Sequence, residues 1–274
     1  MKATIFDIKE FALGDGDGIR TTVFFKGCPL RCIWCHNPEG LSPTPELYVK
    51  SNGCRNCGLC RRSCNHPDCA KFGRCLHICP SDLVSVAGKE WSVSELREKL
   101  LSGREILNSS GGGVTFSGGE PLMQADFLYE ILKSLRSKLH RTIETSGYAD
   151  EDVFKKIAGE CDFVIMDIKL ISDELHKKYT GRSNDIILKN ARWLKSSEVP
   201  HLFRTPLIPK ITDTEQNLRA ISEFVGDDKI ELLTYNTLAP AKYKSVGREF
   251  SLNIDDADIT DSDISFFKNA RIRK

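Results

Sequence analysis

Three cysteines, Cys28, Cys32 and Cys35, stand in a C-x3-C-x2-C spacing. Three thiolates from one tight loop can hold three irons of a [4Fe–4S] cluster and leave the fourth iron open to a ligand from outside the protein. An open position is what separates a reactive metal centre from a closed structural one. The competing use of these residues is a zinc knuckle with His36 as the fourth ligand. A second group, Cys54, Cys57, Cys60 and Cys64, reads C-x2-C-x2-C-x3-C, and Cys75-x3-Cys79-Pro80 repeats the end of the same pattern. In two-cluster ferredoxins the fourth cysteine of each run ligates the other cluster, which groups Cys79 with Cys54, Cys57 and Cys60 and leaves Cys64, Cys69 and Cys75 for a second centre. Two full four-iron clusters need eight cysteines and this stretch has seven. The second centre is then a [3Fe–4S] cluster, a cluster completed by His66, Asp68 or His77, or unformed. A structural zinc module is the alternative for the whole stretch. Cys161 reads as a small buried residue within a strand.

These groups need elements to hold them. Residues 21–26 are β-branched and aromatic between Gly18 and Gly27, and predict a strand that feeds directly into the first cysteine loop. From Leu47 to about Gly88 apolar periodicity disappears, which predicts an inserted module (47–88) held by metal rather than by an apolar core. It divides a larger unit into 1–46 and 89–274. Ser92 and Glu95 form a capping box for a helix running to about Leu107. Strands at 113–117, 141–145, 161–169, 200–205 and 229–235 then alternate with helices at 124–137, 150–159, 185–196 and 213–225. Six strands alternating with helices, with no dinucleotide glycine fingerprint, predict an α/β fold: a partial (β/α)6 TIM-like barrel with an inserted ferredoxin-like iron–sulfur module. The last 25 residues, with the acidic run at 255–263, read as a polar tail or a short closing element.

Composition narrows the partners. The chain has 274 residues, with 39 Lys+Arg against 38 Asp+Glu, so no basic field points to nucleic acid or an anionic membrane. No apolar run approaches the roughly 18–20 residues of a membrane span. A cytoplasmic location is expected, and in that reducing compartment 11 cysteines favour metal or redox chemistry over disulfides.

The segments at 27–39 (GCPLRCIWCHNPE), 114–121 (VTFSGGEP), 144–147 (ETSG) and 166–169 (MDIK), with the H-x3-TG at 176–181, resemble the radical S-adenosylmethionine (SAM) activating enzymes of glycyl radical enzymes. The resemblance runs over nearly the whole chain. It implies that Cys28, Cys32 and Cys35 hold a catalytic [4Fe–4S] cluster whose open iron binds SAM. Reductive cleavage then gives methionine and a 5′-deoxyadenosyl radical, which takes a hydrogen from a backbone glycine of a partner enzyme. It also implies SAM contacts from Ser117, Gly118, Gly119 and Glu120, from Asp167, Lys169 and Arg204, from Trp34 and His36 near the adenine, and from Asn236 where related activases have a histidine. Glu144, Thr145, Asp167 and the Ile165 carbonyl match a monovalent-cation site. Asp15 matches a residue that holds the partner's glycine loop, although in this chain's own loop at 14–20 Asp17 stands where the family usually has proline, which makes the 14–20 loop less rigid. The strand-ending GGEP turn and the Asp167/Lys169 pair each have a purely structural use as well. The insert is expected to relay electrons from a flavodoxin- or ferredoxin-type reductant, with a docking surface as its alternative. The chain is expected to act as a monomer. The alternative function is a radical SAM enzyme acting on a small molecule or peptide.

Overall fold

A computed structural model describes residues 1–274 except 51, 236, 255–262 and 274. The chain opens with β1 (Lys2–Ala12) and β2 (Arg20–Phe25), then β3 (Glu46–Val49), the one-turn α1 (Pro67–Ala70), β4 (Val84–Ala87) and β5 (Lys89–Ser92). Helices α2 (Val93–Leu101) and α3 (Arg104–Ser109) lead to β6 (Gly113–Gly118), α4 (Ala125–Leu135), β7 (His140–Thr145), α5 (Glu151–Ala158) and β8 (Phe163–Asp167). After these come α6 (Asp173–Thr180), α7 (Asp185–Ser196), β9 (His201–Leu207), α8 (Glu215–Val225), β10 (Ile230–Thr234), α9 (Ala239–Ser245) and β11 (Ala270–Arg273).

Among the described residues, nine strands form one sheet in the order β11-β10-β9-β8-β7-β6-β2-β1-β5. The six expected strands occupy its centre, pair in parallel and follow sequence order. Their carboxyl ends therefore all point to one side, where the chain must place its loops. The helices cover the sheet with narrow apolar faces: α4 buries Phe127, Leu128, Ile131, Leu132 and Leu135, a helical repeat that puts all five against the sheet. They join Phe25, Phe116, Ile143, Val164, Phe203 and Leu232 from the strands in one continuous core.

Several expectations are corrected. The helix expected from 93 to about 107 is two helices, because Gly103 interrupts it, while the Ser92/Glu95 capping box forms as expected. Strand β8 begins at Phe163, so Cys161 lies before it, half-buried, with its thiol directed to the Ile157 carbonyl at 3.2 Å. Strand β1 was not expected. It adds antiparallel to β2 and buries Ala3 and Ile5. The closing element exists as β11, parallel to β10, whereas most of the acidic run lies outside the described residues. Strands β3 and β4 pair antiparallel, Glu46 with Ala87 and Val49 with Val84, so residues 47–88 leave and re-enter the larger unit side by side.

Candidate active site

The cysteine loop is positioned by three sets of backbone bonds. At its entry, Gly27 N–H donates to Gly40 O at 2.8 Å and Gly27 O accepts from Glu120 N–H at 2.8 Å. That seam is closed by Gly119, whose N–H donates to Phe25 O at 2.8 Å. A Cβ at Gly119 would overlap the carbonyl oxygens of Gly27 and Gly40, so only glycine fits. On the far side, Arg31 N–H donates to Thr180 O at 2.7 Å and Ile33 N–H to Tyr179 O at 3.1 Å. The H-x3-TG segment is thus the last turn of α6 serving as a shelf for the loop. Buried His176 braces that shelf through Nδ1, 2.7 Å from Arg182 O and 3.0 Å from Thr180 Oγ1.

A cavity of about 390 Å³ opens at the carboxyl ends of the parallel strands. Cys28, Cys32 and Cys35 line it together with Trp34 and His36, Ser117, Gly118 and Gly119, Glu144 and Thr145, Asp167, Lys169, Arg204 and Asp15. Burial and neighbouring acidic groups raise the Cys28 thiol, burial pushes Cys32 up to about 12 against the charge of Lys169, and burial likewise raises Cys35. Thiols so desolvated gain most from a metal that takes the thiolate form.

The polar wall opposite is charge-matched. Lys169 Nζ donates to Asp167 Oδ2 at 2.7 Å. Burial works against the Lys169 charge, but Asp167 and Cys32 outweigh it and hold the ammonium above its usual range. Glu144 accepts from Ser117 Oγ at 2.7 Å and from Arg204 Nη1. Burial opposes its ionisation, and Arg204 with the Ser117 bond reverses that, keeping the carboxyl below its normal value. Arg204 also donates to Glu231 Oε2 at 2.6 and 3.1 Å and to Gly14 O at 3.3 Å.

Two expected site residues sit elsewhere. Glu120 is buried beneath the cavity: its carboxylate accepts from Thr145 Oγ1 at 2.6 Å, from Ser146 N and Oγ at 2.8 and 2.5 Å, and from Leu122 N at 3.1 Å. It ties the ETSG turn to the GGEP turn. Ile165 is fully buried and does not line the cavity. Asn236 lies outside the described residues. The neighbouring Tyr235 does line the cavity, its ring 5.9 Å from that of His36, and Arg273 lines it from β11. Sequence reasoning missed both, and Arg273, the last residue of the four-residue β11, gave no local signal.

A sequence-family model described as the Radical SAM superfamily matches residues 22–220, from β2 through most of α8. The chain belongs to the radical SAM superfamily. It is 37% identical to the 4-hydroxyphenylacetate decarboxylase activating enzyme of Clostridium scatologenes, over 91% of this chain and 88% of that one. It is 36% identical to the choline trimethylamine-lyase activating enzyme of Oleidesulfovibrio alaskensis, over 96% and 93%. A radical SAM methyltransferase from Sphaerobacter thermophilus, 13% identical, superposes over 98% of this chain and 76% of that one with a TM-score of 0.52, a likeness of fold alone. Membership of the radical SAM superfamily implies a [4Fe–4S] cluster and SAM. The cavity fits that pair: three thiols line it, glycines 118 and 119 bring backbone to its edge, and buried His36 Nε2 has no hydrogen-bond partner among the described residues.

The insert separates its cysteines into the two expected groups. Cys54, Cys57, Cys60 and Cys79 line one small cavity of about 50 Å³. The sulfurs of Cys64, Cys69 and Cys75 lie within 4.8 Å of one another. Cys75 N–H donates to Cys60 O at 2.8 Å, linking the groups.

Proposed function

We propose that the chain is a cytoplasmic, monomeric activating enzyme for a glycyl radical enzyme, built as a partial (β/α)6 barrel (1–46 and 89–274) with an iron–sulfur insert at 47–88. What carries the reading is the likeness over about nine-tenths of the chain to relatives that are themselves activating enzymes. The cavity supports it. Cys28, Cys32 and Cys35 would hold the [4Fe–4S] cluster, and Cys54, Cys57, Cys60 and Cys79 an auxiliary one. Cluster and SAM together supply reductive cleavage of the S–C5′ bond and a 5′-deoxyadenosyl radical able to take hydrogen from a backbone glycine.

The protein's own share is placement. Gly118 and Gly119 present backbone to the methionyl end of SAM, Lys169 and Arg204 supply fixed positive charge toward a carboxylate, and Asp167 an acceptor. His36, with its ring nitrogen unpartnered, and Trp34 receive the adenine. Glu144 pairs with Arg204 and Asp167 with Lys169, and a monovalent cation held by Glu144, Thr145, Asp167 and the Ile165 carbonyl would share those two carboxylates. Asp15, at the cavity, accepts from Thr22 Oγ1 at 2.6 Å and stands where a partner's loop would enter. A flavodoxin- or ferredoxin-type protein supplies the electron.

Anaerobically reconstituted protein, reduced with SAM present, should release 5′-deoxyadenosine and methionine. Cys32→Ala should abolish this, and continued cleavage by that variant would overturn the assignment. A protein-borne glycyl radical should appear in electron paramagnetic resonance only with the partner enzyme present. A radical reaction on a small molecule or peptide with no such partner would instead favour the alternative.

A further inference from the structure

The Cys64, Cys69 and Cys75 group does not have the shape of a second four-iron cluster. Thiolates that share one tetrahedral zinc, at Zn–S of about 2.3 Å, stand about 3.8 Å apart. Thiolates on a cubane each bind a different iron and stand roughly 6 Å apart. Here all three sulfurs lie within 4.8 Å of one another, which suits one ion. A nitrogen donor is at hand: ligand atoms of His66 and His77 lie within 4.8 Å of the Cys69 sulfur and of each other, and the two rings pack with centroids 4.3 Å apart. The Leu76 N–H donates to Cys69 Sγ at 3.3 Å, a bond that steadies a thiolate acceptor.

The surroundings demand such an ion. Between residues 52 and 83, Cys69 and Cys75 are the buried residues, and the 3₁₀ turn at Leu59–Arg61 buries nothing. An apolar core cannot fix this segment, so metal binding must supply its folding free energy. A donor set of three soft thiolates close enough to share one ion, with the His66/His77 pair beside Cys69 alone in this structure, selects a borderline-soft d¹⁰ ion over a hard cation once one ring turns toward the other two sulfurs.

We infer that Cys64, Cys69 and Cys75, with one imidazole of the His66/His77 pair, form a closed mononuclear zinc site, beside an iron–sulfur cluster on Cys54, Cys57, Cys60 and Cys79. Zinc has no redox chemistry, so the insert then carries one electron-transferring centre rather than two. That consequence, unlike the zinc site, rests on the activating-enzyme reading.

The test is metal analysis of the anaerobically purified full chain. Zinc should be present at about one per chain, and its X-ray absorption edge should report three sulfur and one nitrogen neighbours. Cys69→Ser should remove the zinc and leave iron unchanged, while Cys57→Ser should lower iron and leave the zinc. Replacing zinc by Co²⁺ should give the intense visible bands of a tetrahedral thiolate site. The edge is read on the unaltered chain, so it holds whether or not the Cys69 variant folds. A zinc-free chain whose Cys69→Ser variant loses iron would overturn the inference. Failure of the activating-enzyme reading would show separately, as absence of a protein-borne glycyl radical on any partner enzyme in a protein that still holds zinc.

Discussion

The Arg31 amide donates to the Thr180 carbonyl at 2.7 Å, so the loop of Cys28, Cys32 and Cys35 hangs from the end of α6, far along the chain. Thr180 is fully buried, its hydroxyl donating to His176 O at 2.8 Å, and Gly181 closes the helix with a left-handed cap at φ +75°. The geometry of the metal loop is therefore set in part by residues that touch no metal.

Removing the brace should loosen the loop. His176→Ala takes from the Arg182 carbonyl its imidazole partner, while the Thr180 hydroxyl keeps its bond to the carbonyl of residue 176, a cost of about 1–3 kcal/mol. Iron bound at the first cluster should fall while zinc in the insert is retained, as read by metal analysis of a variant also carrying Cys57→Ser. Unchanged iron in that background would show that the brace does not position the loop.

Arg204 tests the polar wall. It is buried and bonded to Glu231, itself buried, and to Glu144. Arg204→Met leaves two acids without their shared cation and should cost about 3–5 kcal/mol, toward the low end because Arg271 still reaches Glu231. The urea midpoint reads the loss. Adding Glu231→Gln should restore part of the stability but not SAM binding, since Glu144 remains unmatched beside the cavity.

Gly119→Ala tests the seam between the GGEP turn and the cluster loop. The added methyl must displace the backbone of Gly27 or Gly40, an overpacking cost of about 1–3 kcal/mol. SAM affinity should fall about tenfold or more, equivalent to about 1.4 kcal/mol. Equilibrium binding to the reconstituted protein measures it, and unaltered affinity would place the seam outside the SAM site.

The parts of this molecule that were legible in its sequence are the locally encoded ones. The six central strands are short apolar runs between turns, and the cysteine groups are separated by spacing alone, so neither needed long-range information. Strand β1 was missed because half of its residues are exposed and its inward pattern rests on little more than Ala3 and Ile5. Helix α6 was missed because what it buries is polar, His176 and Thr180. Glu231 reads as one acid in an apolar strand until Arg204 and Arg271 arrive from two neighbouring strands. Glu120 looked like a cavity residue because it follows two glycines, yet its carboxylate is consumed by Leu122, Thr145 and Ser146 beneath the floor. Contacts between distant segments decide each of these, and a linear pattern does not carry them.

His176 also gives the brace a pH dependence. Burial, with the Lys169 charge, holds its imidazole below the usual histidine range despite the bond to Arg182 O. The folded state therefore keeps His176 neutral where the unfolded chain, with a value of about 6.5, already binds the proton. Between those two values the unfolded state holds more protons, so stability falls as pH drops through about 6.5 toward the folded value. His176→Gln retains a hydrogen-bonding side chain without that titration. The wild-type chain should exceed the variant in thermal midpoint at neutral pH, and the gap should narrow as pH is lowered through about 6.5, each 1 kcal/mol appearing as about 2–4 °C. A gap that stays constant across this range would mean that His176 does not titrate with unfolding and that its brace is independent of pH.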